Sequence, residues 1–327
     1  MILPQPGASP VIRTEQLCKR YGSFAAVDDL NLCVRPGEIY GFLGPNGAGK
    51  TTTLLMILGI TRPTSGRVEV LGQPFDGRSF ALRRRMGVVA EDAWQYDEMT
   101  AYEYLAFFAR LYRVAKPGPA IQSLLERVEL WERRQLLVGG YSRGMRQKLN
   151  LCRALLHDPE VLILDEPVSG LDPNGIRQVR ELLLEENRRG RTILLSSHIL
   201  SEIEQTAHRV GIIARGRLLA EDSVAGLAAR LGGGQRLEVE LHEPTADLRR
   251  QVESLPFVQK VEELSPTRWL LTTAAGEDQR PALARFLNGQ GALVIGMRTQ
   301  ERSLEDAFVT ITDAALRPWV EEEWDTD

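Results

Sequence analysis

The sequence predicts an α/β protein followed by a smaller α+β module, and three observations carry that expectation. First, Ile39-Tyr40-Gly41-Phe42-Leu43, Val161-Leu162-Ile163-Leu164, Thr192-Ile193-Leu194-Leu195-Ser196 and Val210-Gly211-Ile212-Ile213-Ala214 are short apolar runs separated by longer periodic segments. Such runs suit parallel strands buried on both faces. Second, a glycine loop follows the first run and opens a helix-like stretch, Thr51 to Leu58. Third, the pattern resets after Leu231-Gly232-Gly233-Gly234-Gln235, which reads as a linker.

Within the first part, Leu30-Asn31-Leu32-Cys33-Val34 and Val68-Glu69-Val70 alternate as half-exposed strands, as in an antiparallel subdomain. Beyond the linker, Leu237 to Leu241 reads as a strand and Ala246 to Leu255 as a helix. Val258 to Leu264 and Arg268 to Thr273 read as strands, Pro281 to Asn288 as a helix, and Ala292 to Met297 as a strand. That βαββαβ order is the ferredoxin-like arrangement. A last amphipathic helix is expected from Ser303 to Ala315, opened by a capping-box pattern at Ser303-Leu304-Glu305-Asp306. The expected domains are 11–230 and 235–315, with flexible tails at 1–10 and 316–327.

Composition bounds the chemistry without supplying it. The chain has 327 residues, 43% apolar and 26% charged, enough to bury sizeable cores. Forty basic against forty-four acidic residues give a net charge of −4, so no global electrostatic case for nucleic acid exists, and none is expected as a partner. No apolar run approaches the length that spans a bilayer. Met1 to Gly7 lacks the pattern of a signal peptide and reads as a short leader. Cys18, Cys33 and Cys152 are too scattered for a disulfide framework or a CxxC metal site, and read as three buried small hydrophobes in a reducing cytosol. The acidic end, Glu321 to Asp327, reads as solvated.

Chemistry enters with Gly44-Pro45-Asn46-Gly47-Ala48-Gly49-Lys50-Thr51, which fits G-x-x-x-x-G-K-[ST]. Glycines let backbone N–H groups converge on phosphate oxygens without side-chain clash. Lys50 then reaches the β- and γ-phosphates, and the Thr51 hydroxyl binds Mg²⁺. A strand enters and a helix leaves with its N-terminus toward the phosphates, drawing Thr52 into the site. Further on, Val161-Leu162-Ile163-Leu164-Asp165-Glu166 is an apolar strand ending in two carboxylates. Asp165 is placed to hold Mg²⁺. Glu166 points the other way, to orient or deprotonate the attacking water. A positioned general base typically contributes about 10²–10⁴-fold.

Together with these, Tyr141-Ser142-Arg143-Gly144-Met145-Arg146-Gln147-Lys148, with Ser142 lying 23 residues before Asp165, resembles a variant of the LSGGQ signature of ABC transporter nucleotide-binding subunits. The resemblance covers about residues 11 to 225. It implies a P-loop NTPase cassette with an antiparallel β subdomain and a helical subdomain. It implies that Tyr21, 29 residues before Lys50, stacks on adenine, worth about 1–3 kcal/mol. Asp172 in Ser169-Gly170-Leu171-Asp172 matches the loop that crosses to a partner subunit. His198, after Leu194-Leu195-Ser196-Ser197, matches the switch histidine that senses the γ-phosphate.

Two departures stand out. Glu91 occupies the place of the family's Gln, where it either ligates metal or swings away. Arg143 and Met145 replace small or neutral signature residues, and Arg143 either pairs with phosphate or faces the partner. A subset of bacterial exporter ATPases carries YS[KR]GM and this Glu, and the chain resembles that subset.

The resemblance implies that Ser142 and Gly144 complete the site of a second copy, so ATP and Mg²⁺ bridge a homodimer. It implies ATP hydrolysis that drives separate membrane permease subunits, and a peripheral place on the inner face of the membrane. The cargo implied is a small molecule such as a drug, antibiotic or lipid, with export favoured over import. The segment Asp92 to Leu111 is where such a subunit docks its permease, with Trp94 and Tyr96 as the contacts. The alternative is an ABC ATPase without a membrane partner, acting on a macromolecule. The long coiled-coil insertions or tandem cassettes of those members are absent from this sequence.

Overall fold

The computed structural model describes residues 9–91, 95–230, 236–274, 278–300 and 304–312. They divide into a first unit, made of the described residues up to Val224 together with Ile311 and Thr312, and a second that runs from Ala225 to Thr310.

The first unit opens with a long hairpin, β1 (Ile12–Tyr21) and β2 (Phe24–Val34), whose register shifts repeatedly along its length. β3 (Ile39–Leu43) follows with all five residues buried, and leads through a glycine loop to α1 (Lys50–Ile57). The chain returns to the hairpin as β4 (Ser65–Val70) and β5 (Gln73–Pro74), giving an antiparallel sheet ordered β2-β1-β4-β5. α2 (Phe80–Arg83) and β6 (Met86–Val89) come next. α3 (Ala101–Leu111), α4 (Pro117–Arg127) and α5 (Arg143–Leu155) form the helical part. α3 starts at a capping box in which Thr100 and Glu103 satisfy each other's backbone N–H.

β7 (Val161–Asp165), α6 (Pro173–Arg188), β8 (Thr192–Ser197), α7 (Leu200–Thr206), β9 (Arg209–Ala214) and β10 (Arg217–Ser223) complete the unit. The central sheet is ordered β10-β9-β3-β8-β7-β6, parallel except for the β9–β10 hairpin. The four apolar runs are thus its four adjacent inner strands. One core joins the antiparallel sheet, the arm of this unit, to the central sheet, with Leu17, Leu30 and Val70 packed in the same cluster as Tyr40, Phe42, Leu54 and Ile163.

β10 is an addition to the sequence expectation. Its Arg-Leu-Leu-Ala-Glu-Asp-Ser carries no apolar run because it is an edge strand, half-buried along its length. The cysteines need a correction. Only Cys152 is buried, where burial pushes its thiol up to about 12. Cys18 and Cys33 are half-buried because they lie on the arm, one of whose faces meets solvent.

α8 (Val224–Arg230) leads into the second unit, with β11 (Arg236–His242), α9 (Ala246–Glu253), β12 (Val258–Ser265), β13 (Arg268–Thr273), α10 (Arg280–Gly289) and β14 (Leu293–Gln300). Every pairing in its sheet is antiparallel, and the order is β12-β13-β11-β14. α9 and α10 bury Leu248, Val252, Leu283 and Leu287 against Leu237, Val239, Leu241 and Trp269. Residues 304–312 are helical, and Arg236 is paired with Asp306 at 2.8 Å. The linker at Leu231 to Gln235, the capping serine Ser303, Trp94 and the acidic end lie outside the described residues. Among the described residues, no helix is long and apolar enough to cross a membrane.

Candidate active site

β3 runs between β8 and β9 and delivers the chain into residues 44–49. Two glycines there are sterically required. A Cβ on Gly44 would stand 2.4 Å from the Ile213 carbonyl oxygen. Gly49 has φ +104°, and its Cβ would stand 2.5 Å from the Ala26 carbonyl oxygen. The loop is closed by the Ala48 N–H donating to the Pro45 carbonyl at 3.2 Å, and anchored by the Gly216 N–H on the Ala48 carbonyl at 2.9 Å. α1 then begins, with no acidic residue in its first turn to compete for its free N–H groups. Lys50 is buried and folds back, donating to the Gly44 carbonyl at 2.7 Å.

The acidic strand end is fixed by sheet register. Asp165 lies opposite Ser196 on β8. The Ser196 hydroxyl donates to Asp165 Oδ1 and accepts the Glu166 N–H at 3.1 Å. Glu166 leaves the strand with φ +48°, an uncommon conformation that turns it toward the glycine loop. Its side chain is only 6% exposed. Oε1 lies 3.7 Å from Lys50 Nζ, and Oε2 lies 2.8 Å from His198 Nδ1. A buried carboxylate needs such partners, because an unpaired buried charge is expensive. Gln147, from α5, donates to the Glu166 carbonyl at 3.3 Å.

These groups surround an open cavity of about 470 Å³, lined by Pro45 to Thr52 together with Tyr21, Phe24, Ala26, Glu91, Glu166 and His198. Tyr21 and Phe24 face each other across the hairpin end, and both rings are exposed. A second cavity of about 220 Å³ shares Thr51 and Glu91 with the first, and is lined by Asp165. One chain therefore brings together the loop, Lys50, Thr51, Thr52, Tyr21, Glu91, Glu166 and His198, with Asp165 alongside. Ser142, Gly144 and Asp172 line neither cavity. Ser142 caps α5, accepting the Met145 N–H at 3.3 Å, and Asp172 caps α6, accepting the Gly175 N–H at 3.0 Å.

Sequence reasoning missed three residues of this arrangement. Phe24 was signalled only as an aromatic three residues after Tyr21. Ser196 stands in the run before His198, but its hold on Asp165 depends on strand register. Gln147 left no signal of its own.

A buried strand, a glycine loop at a helix N-terminus, a lysine on the loop and an acidic strand end define a P-loop nucleotide hydrolase. The ABC transporter family matches over residues 27–169. The bacitracin transport ATP-binding protein BcrA of Bacillus licheniformis is 49% identical over 65% of this chain and 70% of its own. The Nod factor export ATP-binding protein I of Burkholderia thailandensis is 38% identical over 93% of this chain and 97% of its own. The solved ATP-binding subunit of an ABC transporter is 29% identical, with a TM-score of 0.63, over 68% of this chain and 93% of its own. The chain belongs to the ABC transporter family, as an ATP-binding and ATP-hydrolysing subunit.

Proposed function

We propose that this chain is the motor subunit of an exporter, hydrolysing ATP to drive a separate membrane permease. One observation carries the catalytic half of that reading. The Glu166 carboxylate is held between Lys50 and His198 on the wall of the glycine-loop cavity. In that place it accepts a proton from the water that attacks the γ-phosphorus, while Lys50 and the loop N–H groups hold the phosphates. His198 keeps the carboxylate aimed and meets the terminal phosphate. Tyr21 stacks on the adenine, with Phe24 widening the platform.

Thr51, Asp165 and Glu91 line one cavity and offer a hydroxyl and two carboxylates. Hard oxygen donors of this kind fit Mg²⁺, which keeps waters and substrate phosphates as its other ligands. When bound, the ion neutralises phosphate charge. Ser196, hydrogen-bonded to Asp165, fixes the orientation of that carboxylate.

Ser142, Gly144 and Asp172 stand at the starts of α5 and α6, away from their own chain's cavity. We read them as the half-site offered to a second copy, with α5's N-terminus directed at that copy's γ-phosphate. ATP then closes a homodimer, and hydrolysis opens it. Tyr96, Phe107, Leu111, Leu136 and Leu137 are exposed apolar residues on or beside the helical part, which supports a permease contact there, with Tyr96 49% exposed. The names of the relatives support export of a small molecule such as an antibiotic or lipid. A peripheral place on the cytoplasmic face of the membrane follows.

Residues 11–230 form the cassette in this reading, and 235–315 an accessory domain. Its βαββαβ order and its sheet order β12-β13-β11-β14 support a ferredoxin-like fold. We assign it to support of the dimer. Glu166→Gln tests the catalytic reading. Phosphate release is expected to fall by about 10² or more while binding of a fluorescent ATP analogue persists. Turnover within threefold of wild type would remove Glu166 as the base.

A further inference from the structure

We infer that Arg143 is a positioning residue for hydrolysis, acting through Ser169 on the loop that follows Glu166. The inference rests on the reading of Glu166 as part of the hydrolytic site. Arg143 is the first residue of α5, and an arginine there is misplaced on helix grounds. A cation at a helix N-terminus opposes the helix dipole, and the first turn of α5 contains no acidic residue to offset it. Arg143 forms no salt bridge among the described residues.

Its guanidinium instead reaches across to donate to the Ser169 hydroxyl at 3.0 Å. Its stem lies against Gly170, where a Cβ would stand 2.6 Å from Arg143 Cδ and Nε. Gly170 has φ +75°, so the turn beneath the arginine suits glycine on both counts. The next residue of α5, Gly144, faces Leu171, whose Cδ2 would stand 3.1 Å from a Cβ there. Gln147, one turn on, holds the Glu166 carbonyl at 3.3 Å. The loop is tied to itself by the Ser169 N–H on the Glu166 carbonyl at 3.1 Å.

The start of α5 thus grips the chain at Glu166, Ser169, Gly170 and Leu171. Arg143 supplies the charged contact of that grip, and Ser169 is its receiver. Because Glu166 sits in a left-handed backbone conformation, the aim of its carboxylate depends on the turn that Arg143 holds. Arg143 does not line the cavities of its own chain, and its hydrogen bond to Ser169 directs its action to the loop that follows Glu166.

Steady-state ATP hydrolysis by the full chain tests this, comparing Arg143→Ala, Ser169→Ala, the double variant and Arg143→Lys. Both single variants are expected to lower kcat by about five- to tenfold, with KM for ATP within about twofold of wild type. The double variant falls no further than the worse single one, and Arg143→Lys recovers most of the loss. Unchanged thermal midpoints show that the loss is not one of folding. The inference is overturned if the two losses multiply. It is also overturned if Ser169→Ala is silent while Arg143→Ala is slow, or if KM rises at constant kcat. Glu166→Gln run alongside reads the base separately. The Arg143–Ser169 coupling comes from the ratio of the variants whatever that control gives.

Discussion

His198 Nδ1 lies 2.8 Å from Glu166 Oε2, and the His198 N–H points at the same oxygen from 3.4 Å. A carboxylate in its ionised form only accepts, so in that form Nδ1 is the donor of the pair. The two residues differ sharply in access, with side-chain exposure of 53% for His198 and 6% for Glu166. The imidazole is the solvent-facing member of the pair and the carboxylate the sheltered one. A nucleotide entering the cavity is therefore expected to meet the histidine before the carboxylate.

Gly49→Ala is expected to cost about 1–3 kcal/mol of stability from backbone strain alone. It also forces the loop away from the Ala26 carbonyl and removes nucleotide binding. Gly47→Ala is the control, because φ is +77° there but nothing stands within 4 Å of its Cβ. Urea denaturation and a fluorescent ATP analogue read both effects. Equal binding by the two alanine variants would contradict the steric argument.

Glu91→Gln keeps an oxygen donor beside Thr51 and Asp165 but removes its charge. Hydrolysis is expected to survive with a higher Mg²⁺ requirement, since a carboxylate binds a hard cation more strongly than an amide carbonyl. A Mg²⁺ titration of phosphate release checks it. Complete loss at saturating Mg²⁺ would show a task that only the carboxylate performs.

Acid is expected to destabilise the chain partly through His157. Burial holds its imidazole below the usual 6.5. The ring stacks on Tyr112 with centroids 4.1 Å apart, and Nε2 donates to the Met86 carbonyl at 2.9 Å. Its Nδ1 is buried without a hydrogen-bond partner among the described residues. Below about pH 6.5 the unfolded chain takes up a proton that the folded chain resists, so stability present above that pH is lost as pH falls toward the folded value. Burial acts the same way on His208. Urea midpoints at pH 7.5 and 5.5 measure the fall, which shrinks in His157→Gln. An identical fall in the variant would remove His157 from the cause.

Much of this was legible in the sequence for physical reasons. Inner parallel strands are apolar on both faces, so β3, β7, β8 and β9 stood out as runs. The glycine loop is legible because Gly44 and Gly49 answer steric demands that no other residue meets. β10 was hidden, since an edge strand with Glu221 and Asp222 looks like a loop. Ser196 was hidden differently. Its tie to Asp165 exists only because β7 and β8 pair in one register, and register is a property of the folded sheet. The Arg143 contact belongs to the same class, joining residues 26 apart that only packing of α5 on the loop brings together.

The most direct test of the shared site is the mass of Glu166→Gln in solution. Light scattering with saturating ATP and Mg²⁺ is expected to give a dimer that returns to monomer when nucleotide is removed. A monomer with ATP bound would contradict it, because Ser142, Gly144 and Asp172 would then have no nucleotide to complete.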